Sequence, residues 1–169
     1  MYTIDFNKYL EFLGWDIIYW GIKNDMISAE SAVEYANKLI ATYLDKDDHL
    51  LVELFILENV CKDEVLSLIN KRVSQSASKE CESMRTLRYI ILDGIKHSTK
   101  NDKDVIIALE NIYADFDYPQ DMNPFISYMP VENDNYNPSV HTQQENEQRL
   151  IEKFDLFLQT ELEWLCKKR

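Results

Sequence analysis

All four prolines of this 169-residue chain lie in one stretch, DFDYPQDMNPFISYMPVENDNYNP, which runs from Asp115 to Pro138. Elsewhere, apolar residues recur at steps of three and four, the spacing of a buried helical face. After Ser28, a candidate cap, Ala29, Val33, Ala36, Ile40 and Tyr43 form such a stripe, widened by Ala32 and Leu39. Phe6, Tyr9, Leu10 and Leu13 predict a short helix ending at Gly14, and WDIIYWGIKND reads as the next. Asp47 is placed to cap a helix carrying Leu50, Leu51, Leu54, Phe55 and Leu57, and Asp63 to open one with Val65, Leu66, Leu68, Ile69 and Val73. Cys81, Met84, Leu87, Ile91 and Ile95 repeat on one face, with Arg85 and Arg88 beside them. Asn101 or Asp102 starts a helix using Val105, Ile106, Leu109, Ile112 and Tyr113. Leu150, Ile151, Phe154, Phe157, Leu158, Leu162 and Leu165 mark a long last helix, closed by Lys167, Lys168 and Arg169.

Period-two alternation is almost missing, and the only glycines are Gly14, Gly21 and Gly94, too few for a sheet joined by tight turns. Gly21, inside a helix pattern, is either tolerated or needed for close packing. The expected architecture is therefore all-α, seven or eight helices in one domain spanning residues 1–169, with helix pairs that suggest solenoid-like stacking. A chain of this length buries roughly 70% of the surface it exposes when unfolded, enough for an ordinary core. Its composition, 46% apolar and 28% charged, is that of a globular protein.

The proline-rich stretch, a loop over about 115–140, is long for a helix connection, which usually takes about 2–8 residues. It carries Phe116, Tyr118, Phe125, Tyr128 and Tyr136, whereas disordered segments are poor in aromatics. Its first half is expected to be tucked against the helices by Met122, Phe125 and Met129, and its second half, VENDNYNPSVHTQQENE, to be more mobile. It also holds Asp115, Asp117, Asp121, Glu132 and Asp134 and no Lys or Arg. The chain has a net charge of −12, and residues 101–148 hold ten acids against the single base Lys103. By contrast, residues 71–100 carry seven bases and three acids. Free nucleic acid attracts cationic surfaces, so the acidic balance points instead to a basic protein partner.

Enzymatic signatures are not found. The three histidines, His49, His97 and His141, have no zinc spacing, and His49 reads as solvated. DFD with Asp121 lacks the glycine of a calcium loop, so no metal or cofactor is expected. No Gly-x-Ser-x-Gly or phosphate-binding glycine loop occurs. Cys61, Cys81 and Cys166 are odd in number and far apart, which predicts reduced thiols in or near the core. Neither a leader sequence nor a membrane span is expected, which suggests a cytoplasmic protein. Trp15, Tyr19 and Trp20 read as core packing, with an exposed Trp20 the alternative.

Two segments carry a resemblance: WDIIYWGIKNDMIS followed by AVEYANKL, and YADFDYPQDMNPFISYMP. They resemble a family of small bacterial proteins without an assigned biochemical function. In size and helical character, that family is similar to immunity proteins of polymorphic and contact-dependent toxin systems. The resemblance implies a non-enzymatic protein that binds and neutralises a basic toxin domain, expected to be a nuclease. The partner-binding residues would be Asp115, Asp117, Tyr118, Asp121, Tyr128, Glu132, Asp134 and Tyr136. The alternative is a helical adaptor that binds through its basic 71–100 region or a concave helix face. A small enzyme using Asp115 and Asp117 is a third, weaker reading. The sequence leaves the oligomeric state open.

Overall fold

The computed structural model describes residues 1–43, 48–57, 59–73, 75–131 and 136–168. The fold is all-α: α1 (Phe6–Tyr9), α2 (Trp15–Lys23), α3 (Glu30–Tyr43), α4 (His49–Phe55), α5 (Lys62–Ile69), α6 (Ala77–Ser98), α7 (Asp102–Asp115) and α8 (Gln143–Lys167). Short 3-10 turns occupy Asn70–Arg72, Gln120–Phe125 and Pro138–Val140. The only strand-like feature among the described residues is an isolated parallel bridge between Tyr2 and Ile27. The chain divides into two units, Met1–Ile91 and Leu92–Arg169, with the division inside α6.

In the first unit the caps follow local chemistry. Asp5 accepts hydrogen bonds from the Asn7 and Lys8 amides at 3.0 and 3.2 Å and so starts α1. Six successive residues of α2, Ile17 to Ile22, are buried, so this helix is surrounded rather than one-sided. It packs on both α3 and α5. A Cβ on Gly21 would come within 2.8 Å of Leu87 Cδ2 and 2.9 Å of Ile27 Cδ1, so this glycine serves close packing. Trp15, Tyr19 and Trp20 belong to that packing: Trp15 meets Tyr35 edge-on at 4.9 Å, and Tyr19 meets Trp20 at 5.2 Å. Trp20 is buried, which removes it as an exposed contact residue.

Other expectations are corrected in phase. On α3 the buried residues are Ser31, Ala32, Tyr35 and Ala36, while Tyr43 is exposed. The stripe turns towards Tyr35 because its ring is enclosed by Phe6 and Trp15 and its hydroxyl donates to the Leu13 carbonyl at 3.2 Å. Burial pushes the Tyr35 hydroxyl up to about 12, with a smaller push from Tyr43. On α4, Leu50, Leu51 and Leu54 are buried but Phe55 is exposed. All three cysteines are exposed free thiols rather than core residues. His49 is exposed, as expected.

The expected cap Asp47 lies outside the described residues, as do Ser74 and Arg169. Asp48 caps α4 instead, accepting from the Leu50 amide at 3.0 Å. The same carboxylate takes both terminal nitrogens of Arg72 at 2.6 and 2.7 Å, tying α4 to the turn after α5. Burial alone would raise the Asp48 carboxyl, but the Arg72 hydrogen bonds, the Leu50 amide and the Arg72 charge outweigh it and hold the group below its ordinary range. A carboxyl lowered on folding stabilises the fold above its unfolded pKa, about 4, and loses that contribution as pH falls through the folded value. Asn keeps the cap and removes the charge. Chemical denaturation of wild type and Asp48→Asn should show wild type more stable at pH 7, and the gap should close as pH falls below about 4.

In the second unit, Asn101 caps α7 through the Asp104 amide, and the five residues of its predicted stripe, Val105, Ile106, Leu109, Ile112 and Tyr113, are all buried. Thr142 and Glu145 form a reciprocal capping box that opens α8. Residues 143–147, expected to be mobile, are therefore the first turns of this helix. Ile151, Phe154, Leu158 and Leu165 face the core from α8, whereas Leu162 is partly exposed.

Candidate interaction surface

The connection between α7 and α8 is built from the end of α7 outward. The Tyr118 amide donates to the Tyr113 carbonyl at 2.8 Å, and the Asp117 amide to the Ala114 carbonyl at 3.1 Å. These are the two bonds of a Schellman cap. The cap places Asp117 at φ 59°, in the left-handed region, and Tyr118 beyond it lies there too, at φ 55°. Aspartate tolerates that region better than most residues, but a tyrosine there is strained. The apolar contact that completes such a cap is the Tyr118 ring, edge-on to Tyr113 at 5.3 Å. Asp115 and Asp117 thus stand at the carbonyl end of α7, where the helix dipole disfavours negative charge, and no basic residue lies in its last turn.

Beyond Pro119 the chain turns inward. Met122, Phe125 and Ile126 are buried, and Phe125 packs against Phe154 at 5.4 Å and Phe157 at 5.0 Å on α8. This bears out the expectation that the first half is tucked in. Polar bonds fix its other side to α7. The Tyr113 hydroxyl donates to Asn123 Oδ1 at 2.7 Å and lies 3.8 Å from Met129 Sδ. The Ser127 hydroxyl donates to the Glu110 carboxylate. With Ile126 seated in the core and Ser127 bonded to α7, Tyr128 projects outward.

The result is a cluster around one buried ring. Tyr113 is only 4% exposed, while Tyr118 and Tyr128 are each 58% exposed and pack on it at 5.3 and 6.3 Å. Partial desolvation, then Tyr113, Glu110 and Tyr118, push the Tyr128 hydroxyl above its ordinary pKa. From the expected set, the structure brings Tyr118 and Tyr128 together on Tyr113, with Asp115 and Asp117 adjoining Tyr118 along the chain. Asp121 is exposed in the 3-10 turn. Glu132 and Asp134 lie outside the described residues.

Tyr136 belongs to a different cluster. Its hydroxyl donates to Asn146 Oδ1 at 2.7 Å, its ring stacks on His141 at 4.3 Å, and the Arg149 guanidinium lies over it at 4.6 Å. It anchors the chain to the start of α8, so much of its surface is already covered. Glu110, Tyr113, Asn123 and Ser127 were not among the expected site residues. Their roles depend on contacts ten to seventeen residues apart in sequence. Among the described residues, no three His, Cys, Asp or Glu side chains converge as metal ligands.

The fold and this surface define a small all-α protein that presents an aromatic and acidic segment, residues 115–131, at its surface. Residues 4–162 match the family described as an uncharacterised protein conserved in bacteria (DUF2247), and the chain belongs to that family. No curated protein and no solved structure gives a significant match. Among the described residues, no helix is long and apolar enough to cross a membrane.

Replacing Asp117 with Gly removes both a strained side chain and a charge at the wrong end of α7. Asp117→Gly should stabilise the fold by up to about 1 kcal/mol in denaturant melts. A lower stability would mean that Asp117 makes a structural contact that outweighs the strain.

Proposed function

We propose that this protein is a cytoplasmic, non-enzymatic immunity protein that binds and neutralises a basic toxin domain, a nuclease, by covering its active site. The observation that carries this reading is the pair Tyr118 and Tyr128, held half-exposed on a buried tyrosine beside Glu110, Asp115 and Asp117. Several locally unfavourable choices coincide there: left-handed Asp and Tyr residues, and carboxylates at a helix C-terminus. Such choices gather where function outweighs stability. Nucleases hold an anionic polymer on a cationic surface, and an acidic inhibitor competes for those cations. Aromatic side chains already fixed in place bind with less entropic cost than mobile ones.

The adaptor reading through the basic 71–100 region has less support. Arg72 is held by Asp48, Lys96 pairs with Asp155 at 2.5 Å, Lys79 pairs with Glu82, and Arg88 is buried. These contacts engage four of the seven bases of that region.

The test is association with the product of the neighbouring gene, which this reading expects to carry a basic C-terminal toxin domain. Stopped-flow mixing should show an association rate that falls about tenfold or more from low to physiological salt. The complex should abolish nuclease activity at stoichiometric ratio. An association rate independent of salt, or full nuclease activity in a saturated complex, would contradict the reading.

A further inference from the structure

The surface around Tyr113 has the parts of a receptor for a single planar cation. Two exposed rings, Tyr118 and Tyr128, meet a third at centroid distances of 5.3 and 6.3 Å, with interplanar angles of 83° and 59°. Neither ring is therefore stacked flat on Tyr113, and each keeps a face open to solvent. Glu110 lies one turn before Tyr113 on the same face of α7, is half-buried and is pinned by the Ser127 hydroxyl. Asp117 adds a second carboxylate beside Tyr118. Ring faces and carboxylates both attract cations, and neither attracts an anion. The floor is fixed as well, since the Tyr113 hydroxyl is held by Asn123. The second tyrosine-containing cluster already has its cation, because Arg149 of this chain lies over Tyr136.

We propose that Tyr118, Tyr128 and Glu110 form a receptor for one arginine side chain of the basic partner, with the guanidinium between the two tyrosine rings and paired to the Glu110 carboxylate. Arginine fits better than lysine. Its guanidinium is planar, stacks on aromatic faces while still donating in its own plane, and sheds water more readily than an ammonium group. The Glu110 oxygen not engaged by Ser127 can accept one of its N–H groups. The left-handed backbone at Asp117 and Tyr118 accompanies a Tyr118 ring that packs edge-on against Tyr113 and forms one wall of the receptor. This inference rests on the immunity reading for the identity of the partner, but not for the existence of the receptor.

The receptor is tested with the full chain, carbon-13 labelled at tyrosine rings, titrated with a tetra-arginine peptide and separately with a tetra-lysine peptide. The ring signals of Tyr113, Tyr118 and Tyr128 should shift saturably with tetra-arginine and several-fold more weakly with tetra-lysine. Tyr136 should stay unmoved. Glu110→Gln, which keeps the Ser127 hydrogen bond, and Tyr128→Ala should each weaken tetra-arginine binding about tenfold. Tyr128→Phe, which keeps the ring, should bind nearly as wild type, and thermal melts confirm that each variant is folded. Equal response to both peptides, or shifts spread over all tyrosines, would overturn the proposal. The same variants in the nuclease assay separate the two readings. Arginine-selective binding without toxin neutralisation leaves the receptor standing and removes the immunity function. Neutralisation undiminished in folded Glu110→Gln and Tyr128→Ala removes the receptor and leaves that function standing.

Discussion

The candidate surface depends on one buried side chain, Tyr113. It ends the apolar stripe of α7, and its ring packs against Tyr118 and Tyr128 while its hydroxyl holds Asn123. A buried phenol needs a partner for its hydroxyl, and Asn123 meets that need only if the chain after Pro119 folds back. The loop's conformation and the satisfaction of this one polar group are therefore the same event. Phe125 supplies the apolar half: its seat between Phe154 and Phe157 removes a large ring from water, which favours closure by about 2–3 kcal/mol.

That division of labour explains how the first half of so long a connection is held against the helices. Prolines limit the unfolded alternatives, the Schellman cap sets the exit angle from α7, and the buried Met122, Phe125 and Ile126 set the depth. What remains outside is mostly acidic and aromatic. Local stability would have favoured glycine at position 117 and at position 118. The residues present instead place charge and ring area at the surface.

Much of the fold was legible in the sequence because a period of 3.6 is a local signal. The α7 stripe was read correctly at all five positions, and the tucked half of the loop followed from its aromatics. Where two phases of a stripe were both apolar, tertiary packing decided. Tyr35 rather than Tyr43 is buried on α3, since Phe6 and Trp15 come from other helices to enclose it. The site was less legible for the same reason. Asp117, Tyr118 and Tyr128 could be named from composition, but composition also grouped Tyr136 with them. Its ring is instead occupied by His141 and Arg149, whose approach depends on where α8 begins. Glu110 and Tyr113 read as an ordinary helix carboxylate and an ordinary core residue. Nothing local marks them as the residues that hold the loop and its two exposed tyrosines.

The central claim is that this connection is ordered before any partner arrives. Amide hydrogen exchange of the free protein tests it most directly. The amides of Tyr118, Met122, Ile126 and Met129, each donating to a backbone carbonyl, should exchange at least about a hundredfold more slowly than an unstructured peptide, as expected of a surface held by the core. Exchange at the unstructured rate throughout 118–129, with α7 still protected, would contradict the account: the surface would then form only on binding.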